Sequence, residues 1–123
     1  MLDLIIKNGK CYIDGDLKEV SVGVKGGKID KIGEISSDAK DLLVLPGCID
    51  TQTHFREPGS TDTEDLHSGS RAAIAGGITA VFEMPNTNPP TSNKKEFQRK
   101  LDLAKNRMYC NYAFYFGATA DKC

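Results

Sequence analysis

The sequence lacks the features that would assign the protein to a membrane, to the cell exterior or to a nucleic acid. No apolar run approaches the ~18 residues needed to cross a bilayer. Residues 1–7 contain no basic region, long apolar core or small-residue cleavage site, so we expect no signal peptide. The net charge of −1 gives no reason to expect nucleic acid or an acidic membrane as a partner.

Patterns of cysteine, glycine and serine that would mark other sites are also missing. The four cysteines, Cys11, Cys48, Cys110 and Cys123, include no C-x-x-C pair. We therefore expect reduced thiols in a cytoplasmic protein, with a disulfide or a zinc cluster as the alternative. The glycine pair at 76–77 precedes a strand-like segment, so it is not a phosphate-binding loop between strand and helix. No Ser/His/Asp arrangement has an evident spacing.

The first 45 residues predict a small β-sheet domain without helices. Turn signals at 8–9, 14–16 and 26–27 separate short strand-like segments. Residues 19–25 alternate between apolar and polar with period two, as a half-buried strand does. A sheet of this size is too small to have a stable core of its own.

From residue 46 onward the pattern changes to alternating strands and helices. We predict a helix over 66–75, a buried strand over 78–84, an amphipathic helix over 93–107 and a strand over 108–116. This α/β order indicates a parallel sheet with right-handed crossovers. Because a closed (β/α)8 TIM barrel takes about 250 residues, residues 46–123 are expected to form either a small open domain or the first units of an incomplete barrel.

Polar side chains lie where the predicted strands end. Asp50, Gln52, His54 and Arg56 belong to the end of the first strand, and period-two alternation predicts that they share one face. Asn86 follows the second strand. Because functional residues of parallel sheets gather at the carboxyl ends of the strands, these residues are the candidate site.

The candidate residues also have structural alternatives. His54 is either a metal ligand, since neutral imidazole is the commonest biological one, or a hydrogen-bonded structural histidine. Arg56 offers a planar fork suited to a carboxylate, or forms a salt bridge with Glu57 or Asp62. Asn86 either binds a substrate through its amide or serves the turn chemistry of a Pro-rich loop.

Two runs together resemble a known family. PGCIDTQTHFREPG (46–59) and EDLHSGSRAAIAGGITAVFEMPNTNPPT (64–91) are similar to the amino-terminal part of bacterial-type dihydroorotases of the amidohydrolase superfamily. There the pattern PG-x-ID-x-H-x-H-x-REPG opens a metal-dependent (β/α)8 barrel after a small β-domain. The resemblance implies a zinc-dependent hydrolase that interconverts N-carbamoyl-L-aspartate and dihydroorotate in pyrimidine biosynthesis. The resemblance is compatible with a homo-oligomer.

The resemblance implies roles for four residues. His54 matches the second histidine of the metal pair, and Gln52 stands in place of the first. A glutamine amide is a poor zinc ligand beside imidazole, so Gln52 is a doubtful one. Arg56 matches the arginine that binds the substrate carboxylate, and Asn86 matches the asparagine that shares this task. The other ligands and the catalytic aspartate come from later strands, so we expect no catalytic residue in this chain and no activity from it alone.

Two alternatives stay open. A non-catalytic dihydroorotase-like partner or scaffold protein would agree with Gln52 in place of a histidine. Another cyclic amidohydrolase, similar to allantoinases or dihydropyrimidinases, would share the barrel motifs. Allantoinases usually carry asparagine where Arg56 stands, and dihydropyrimidinases lack the REPG signature. Because a carboxylated substrate needs a cation, Arg56 favours dihydroorotase.

Overall fold

A computed structural model describes residues 2–35 and 43–120 of the chain. The chain divides into two compact units, Met1–Pro46 and Gly47–Cys123. The parts of the predicted domains that fall on residues 1, 36–42 and 121–123 lie outside the described residues.

The first unit is a β-sheet. Its strands are β1 (Leu4–Ile13), β2 (Asp16–Lys25), β3 (Lys28–Gly33) and the short β4 (Leu43–Val44), in the order β3-β2-β1-β4. The first three pair antiparallel, and β4 runs parallel to β1. The buried hydroxyl of Ser21 accepts from the Asn8 N–H at 3.1 Å and donates to the Ile35 carbonyl at 3.2 Å. A serine therefore occupies part of this small interior with its hydrogen bonds satisfied.

The prediction of a hairpin turn at residues 8–9 is wrong. Both residues lie inside β1, where the pairing with β2 shifts register between Ile6 and Gly9 and Asn8 has a φ of 54°. A β-bulge with a left-handed residue and a two-residue hairpin turn both favour Asn-Gly. The local sequence therefore does not distinguish the bulge from the turn. The turn between β1 and β2 is at Asp14-Gly15, whose φ values are 53° and 89°.

The second unit has the alternating pattern. Its elements are β5 (Cys48–Thr53), α1 (Leu66–Ala75), β6 (Ile78–Glu83), α2 (Lys94–Ala104) and β7 (Asn111–Phe114). The strands form a parallel sheet in the order β5-β6-β7. The predicted fold class, α/β units after a small β-sheet, is confirmed. The predicted helix over 93–107 and strand over 108–116 are both longer than the observed elements.

The two faces of the parallel sheet differ in burial. The core consists of Phe55, Leu66, Val81, Ala104 and Cys110. Val81 of β6 is fully buried, whereas its neighbour Phe82 is 38% exposed on the opposite face. Because successive side chains of a strand point to opposite faces, the register of β5 decides which of its polar residues are buried and which are open.

Two features of the structure relate to expectations from the sequence: the state of the thiols and the length of the helices. Cys11, Cys48 and Cys110 are free thiols. Burial raises the pKa of Cys110, which makes its thiolate scarce at neutral pH. Of the helices in residues 2–35 and 43–120, neither is long and apolar enough to cross a membrane.

Helix α1 begins at a capping box. The Asp65 carboxylate accepts from the Ser68 N–H at 2.6 Å, and the Ser68 hydroxyl oxygen accepts from the Asp65 N–H at 3.2 Å. The bonds from Ser68 hold the pKa of Asp65 below its ordinary value of 3.8. The charged form of Asp65 therefore stabilises the fold above this pH, and the contribution is lost as the pH falls through the folded-state pKa.

We expect Asp65→Ala to lower the free energy of unfolding by about 1 kcal/mol, because it removes the N-cap acceptor. Asp65→Asn keeps an oxygen acceptor, so we expect it to lower the free energy of unfolding by less at neutral pH. It should also make this free energy depend less on pH in the acid range. Urea unfolding of the chain at neutral pH and through the acid range measures both effects. Asp62→Ala, at an exposed turn residue, is the control, and an equal loss in that variant would contradict the capping role.

Candidate functional site

The candidate site lies at the carboxyl end of β5, where the strand contains a bulge. Asp50 pairs with Val81 and Thr53 pairs with Glu83, so three steps along β5 match two along β6. Residues paired directly across a sheet share a face. Asp50 therefore lies on the same face as the buried Thr53. The strict alternation that predicted one shared face for Asp50, Gln52 and the following even-numbered positions therefore fails inside β5, and residues 54 and 56 lie beyond its end.

Arg56 also departs from strand geometry. Strand β5 ends at Thr53, and Arg56 has a φ of 62°, in the left-handed region. Strand alternation therefore does not set the direction of its exposed side chain. A non-glycine residue in this region costs about 1 kcal/mol or more, and such residues concentrate at functional sites. Phe55 and Glu57, on either side of Arg56, are both buried, and each is anchored by a buried hydrogen bond.

Glu57 pairs with Arg107 and not with Arg56. Arg107 donates to Glu57 Oε1 at 2.7 Å and to Oε2 at 3.1 Å. Glu57 Oε2 also accepts from the N–H of Leu66, the first residue of α1, at 2.9 Å. Pairing with Glu57 raises the pKa of Arg107. In the part of the chain that the structure describes, no carboxylate forms an ion pair with Arg56, so the alternative of a salt bridge with Glu57 or Asp62 is not observed there.

The structure brings His54 and Asn86 together. Nδ1 of His54 lies 3.0 Å from Oδ1 of Asn86, across the loops that follow β5 and β6. An amide oxygen only accepts, so this contact fits the neutral tautomer in which Nδ1 carries the hydrogen and Nε2 has the lone pair. A metal-binding histidine usually donates its other ring N–H in this way. Sequence reasoning missed the contact because it joins residues 32 positions apart.

The described residues supply one candidate metal ligand, His54, and no complete metal site. Within residues 2–35 and 43–120, no three His, Cys, Asp or Glu side chains come together as a metal-binding group. Gln52 is exposed, and its backbone N–H donates to Asp50 Oδ1 at 2.9 Å. An ion at His54 would need ligands from outside these residues, and we derive no reaction step through it.

Sequence reasoning also missed an ion pair behind the site. Glu83, the last residue of β6, pairs with Lys100 of α2, and both side chains are 1% exposed or less. Burial raises the pKa of Glu83 and lowers that of Lys100. The available signal was a charged residue at the end of an otherwise apolar strand, but nothing local identified its partner.

Comparison with known sequences gives the family. The model of the Amidohydrolase family matches residues 43–121. A dihydroorotase of Methanosarcina mazei is 41% identical over 129 residues, which cover 98% of this chain and 28% of the relative. An allantoinase of Escherichia coli (strain SMS-3-5) is 43% identical over 113 residues, which cover 86% of this chain and 25% of the relative.

Comparison with solved structures finds relatives that share the fold of this chain. The L-hydantoinase (dihydropyrimidinase) from Arthrobacter aurescens matches with a TM-score of 0.82 and 28% identity, over 98% of this chain and 29% of that protein. The chain thus spans little more than a quarter of the length of the relatives it matches. The predicted resemblance to the amino-terminal part of dihydroorotases is confirmed. On the family match and the identity to these relatives, the chain belongs to the amidohydrolase family.

Proposed function

We propose that this chain is the amino-terminal part of a dihydroorotase. In this proposal residues 1–45 belong to a small β-domain, and residues 46–123 form the first units of a (β/α)8 barrel. The complete enzyme interconverts N-carbamoyl-L-aspartate and dihydroorotate in pyrimidine biosynthesis. Family membership supports a cyclic amidohydrolase, since dihydroorotases, allantoinases and hydantoinases all match. The observation that favours dihydroorotase among them is the exposed guanidinium of Arg56, which has no carboxylate partner among the described residues.

The substrate chemistry explains why this guanidinium discriminates. Dihydroorotate and N-carbamoyl-aspartate carry a carboxylate that allantoin and dihydrouracil lack. A guanidinium binds a carboxylate through two parallel N–H···O bonds. Asn86 accepts from His54 through Oδ1, so its Nδ2 hydrogens can bind the same carboxylate. Arg56 and Asn86 are therefore the proposed substrate-binding residues.

Zinc is part of the proposal as an ion that His54 helps to hold through Nε2. The Nδ1 hydrogen bond to Asn86 sets the orientation of the ring. Gln52 is a doubtful second ligand, because its amide binds zinc weakly. The remaining ligands and the catalytic acid or base would come from later strands of the barrel, so the chain by itself is proposed to be inactive.

Two hybrid enzymes test the proposal. In the first, this chain replaces the matched segment of the Methanosarcina mazei dihydroorotase, and in the second it replaces the matched segment of the Escherichia coli allantoinase. We expect the first hybrid to hydrolyse dihydroorotate. We expect the second to lose allantoin hydrolysis by at least roughly 10-fold, since Arg56 is left without a carboxylate to bind, and to regain it with Arg56→Asn.

The outcomes separate the alternatives. If the first hybrid melts cooperatively but has no turnover while the second hydrolyses allantoin, the chain belongs to another cyclic amidohydrolase. If both hybrids fold and neither turns over its substrate, even with Arg56→Asn, the non-catalytic reading is supported. Zinc analysis of the dialysed hybrids adds an independent measurement, because retained stoichiometric zinc contradicts that reading.

A further inference from the structure

The ion pair between Glu83 and Lys100 is buried more deeply than its contribution to stability explains. Both side chains are fully buried, although removing two charges from water costs several kcal/mol for each ion. An apolar pair of similar volume usually gives an interior that is as stable or more stable. A reason other than stability is therefore needed for two charges at this place.

Each partner makes a second contact with the backbone of a different loop. Glu83 Oε1 accepts from the Phe55 N–H at 3.0 Å, in the segment that follows β5. Lys100 Nζ donates to the Met84 carbonyl at 3.0 Å, in the segment that follows β6. The ammonium also lies 5.2 Å from the centre of the Phe114 ring, which gives it a further favourable contact on β7.

These two backbone positions stand next to the candidate site residues. Phe55 lies between His54 and Arg56, and its ring packs against Gly69 of α1 so closely that a Cβ at position 69 would overlap with it. Met84 precedes Asn86 by two residues. The chain of contacts Phe55–Glu83–Lys100–Met84 therefore connects the loop that carries His54 and Arg56 to the loop that carries Asn86.

We propose that Glu83 and Lys100 are positioning residues of this site. Their ion pair holds the two loops in the relative placement that lets His54 Nδ1 donate to Asn86 Oδ1. Neither residue touches the substrate. The inference deepens the proposed function and rests on it for its catalytic consequence, whereas its structural part concerns only the His54–Asn86 contact.

The variants remove the two buried charges first singly and then together. Lys100→Met keeps the length of the side chain, removes the donor to Met84 and leaves Glu83 without a counter-ion. Glu83→Gln keeps an oxygen acceptor for the Phe55 N–H and removes the charge that holds Lys100. The double variant Glu83→Gln/Lys100→Met buries no charge, so it folds even if a lone buried charge prevents folding. Arg99→Met is the matched control, because Arg99 lies on the same helix and forms an exposed pair with Glu96.

The primary measurement is the tautomer of His54 in the full 123-residue chain, read from ring-nitrogen NMR shifts. In the wild type we expect the Nδ1–H form, held by Asn86. In both single variants and in the double variant we expect a shift toward the Nε2–H form that a free histidine side chain favours, with the dispersed backbone amide spectrum retained. Arg99→Met should leave the tautomer unchanged. A folded double variant with the wild-type tautomer would overturn the proposal, even if it melts at a lower temperature.

The second measurement is kinetic and uses the dihydroorotase hybrid. Lys100→Met should lower kcat/KM for dihydroorotate by roughly 10- to 100-fold, the range usual for residues that orient ligands from behind a site. Arg99→Met should leave it unchanged, and a Lys100→Met hybrid with wild-type kcat/KM would overturn the catalytic part. If the tautomer shifts as expected but the wild-type hybrid has no dihydroorotase activity, the proposed function fails and the positioning role stands.

Discussion

Arg56→Ala should lower kcat/KM for dihydroorotate by about 30- to 4,000-fold in the dihydroorotase hybrid. Truncating one partner of a hydrogen-bonded charge pair that is buried in the complex costs about 2–5 kcal/mol, and each 1.4 kcal/mol is about a tenfold change. The guanidinium is exposed and has no carboxylate partner among the described residues, so the substrate carboxylate does not compete with an internal one. Steady-state kinetics with dihydroorotate and N-carbamoyl-aspartate measures the loss in both directions.

Two control variants and one control substrate make the Arg56 experiment specific. Arg71→Ala removes another exposed arginine, on α1, and should leave kcat/KM unchanged. Arg56→Lys keeps the charge but not the bidentate fork, and we expect it to recover only part of the loss. Any turnover of dihydrouracil, which lacks the carboxylate, should not fall with Arg56→Ala. Equal losses on both substrates would mean that Arg56 supports the loop and does not bind the carboxylate.

The helix over 66–75 shows which parts of the fold the sequence determines locally. Its start and end match the prediction because Asp65 caps the first turn and the glycine pair at 76–77 ends the last. The contacts that define this helix lie within a few residues of one another. Patterns of this kind can be recognised from sequence without knowledge of the tertiary structure.

The candidate site was less predictable, because its geometry depends on pairing between strands. The bulge between Asp50 and Thr53 arises from their register with β6, and nothing within β5 indicates that one residue is extra. The left-handed backbone of Arg56 likewise depends on how Phe55 and Glu57 are anchored. Alternation therefore identified the residues of the site but not their faces.

The ion pairs show the same limit. Glu57 and Arg107 are 50 positions apart, and Arg56, adjacent to Glu57 in the chain, is the partner that a local argument favours. The structure assigns the carboxylate to Arg107 and to the start of α1 instead. Resemblance to a family suggested a role for Arg56 before any geometry was known, but it gave no role to Glu57 or its neighbours in space.

Glu57→Ala should lower the free energy of unfolding by about 2 kcal/mol, because it leaves a buried N–H without an acceptor and removes the partner of a half-exposed arginine. It removes the nearer carboxylate of Arg107, which keeps Asp65 at 3.7 Å, and it leaves the Leu66 N–H without its acceptor. Urea unfolding of the 123-residue chain measures the change. Glu96→Ala is the matched control, since it removes an exposed ion pair on α2 and should cost about 0.5 kcal/mol. Similar losses of unfolding free energy in the two variants would mean that Glu57 contributes no more to stability than an exposed charge does.

Two further variants separate the functions of the Glu57 carboxylate. Glu57→Gln keeps an oxygen for the Leu66 N–H and removes the charge, so its cost isolates the ion pair. Arg107→Met removes the other partner and leaves the bond to α1 intact. A double-mutant cycle between these two changes gives the coupling energy directly. A strong coupling would mean that the pair with Arg107, and not only the bond to the Leu66 N–H, holds Glu57 in place directly after Arg56.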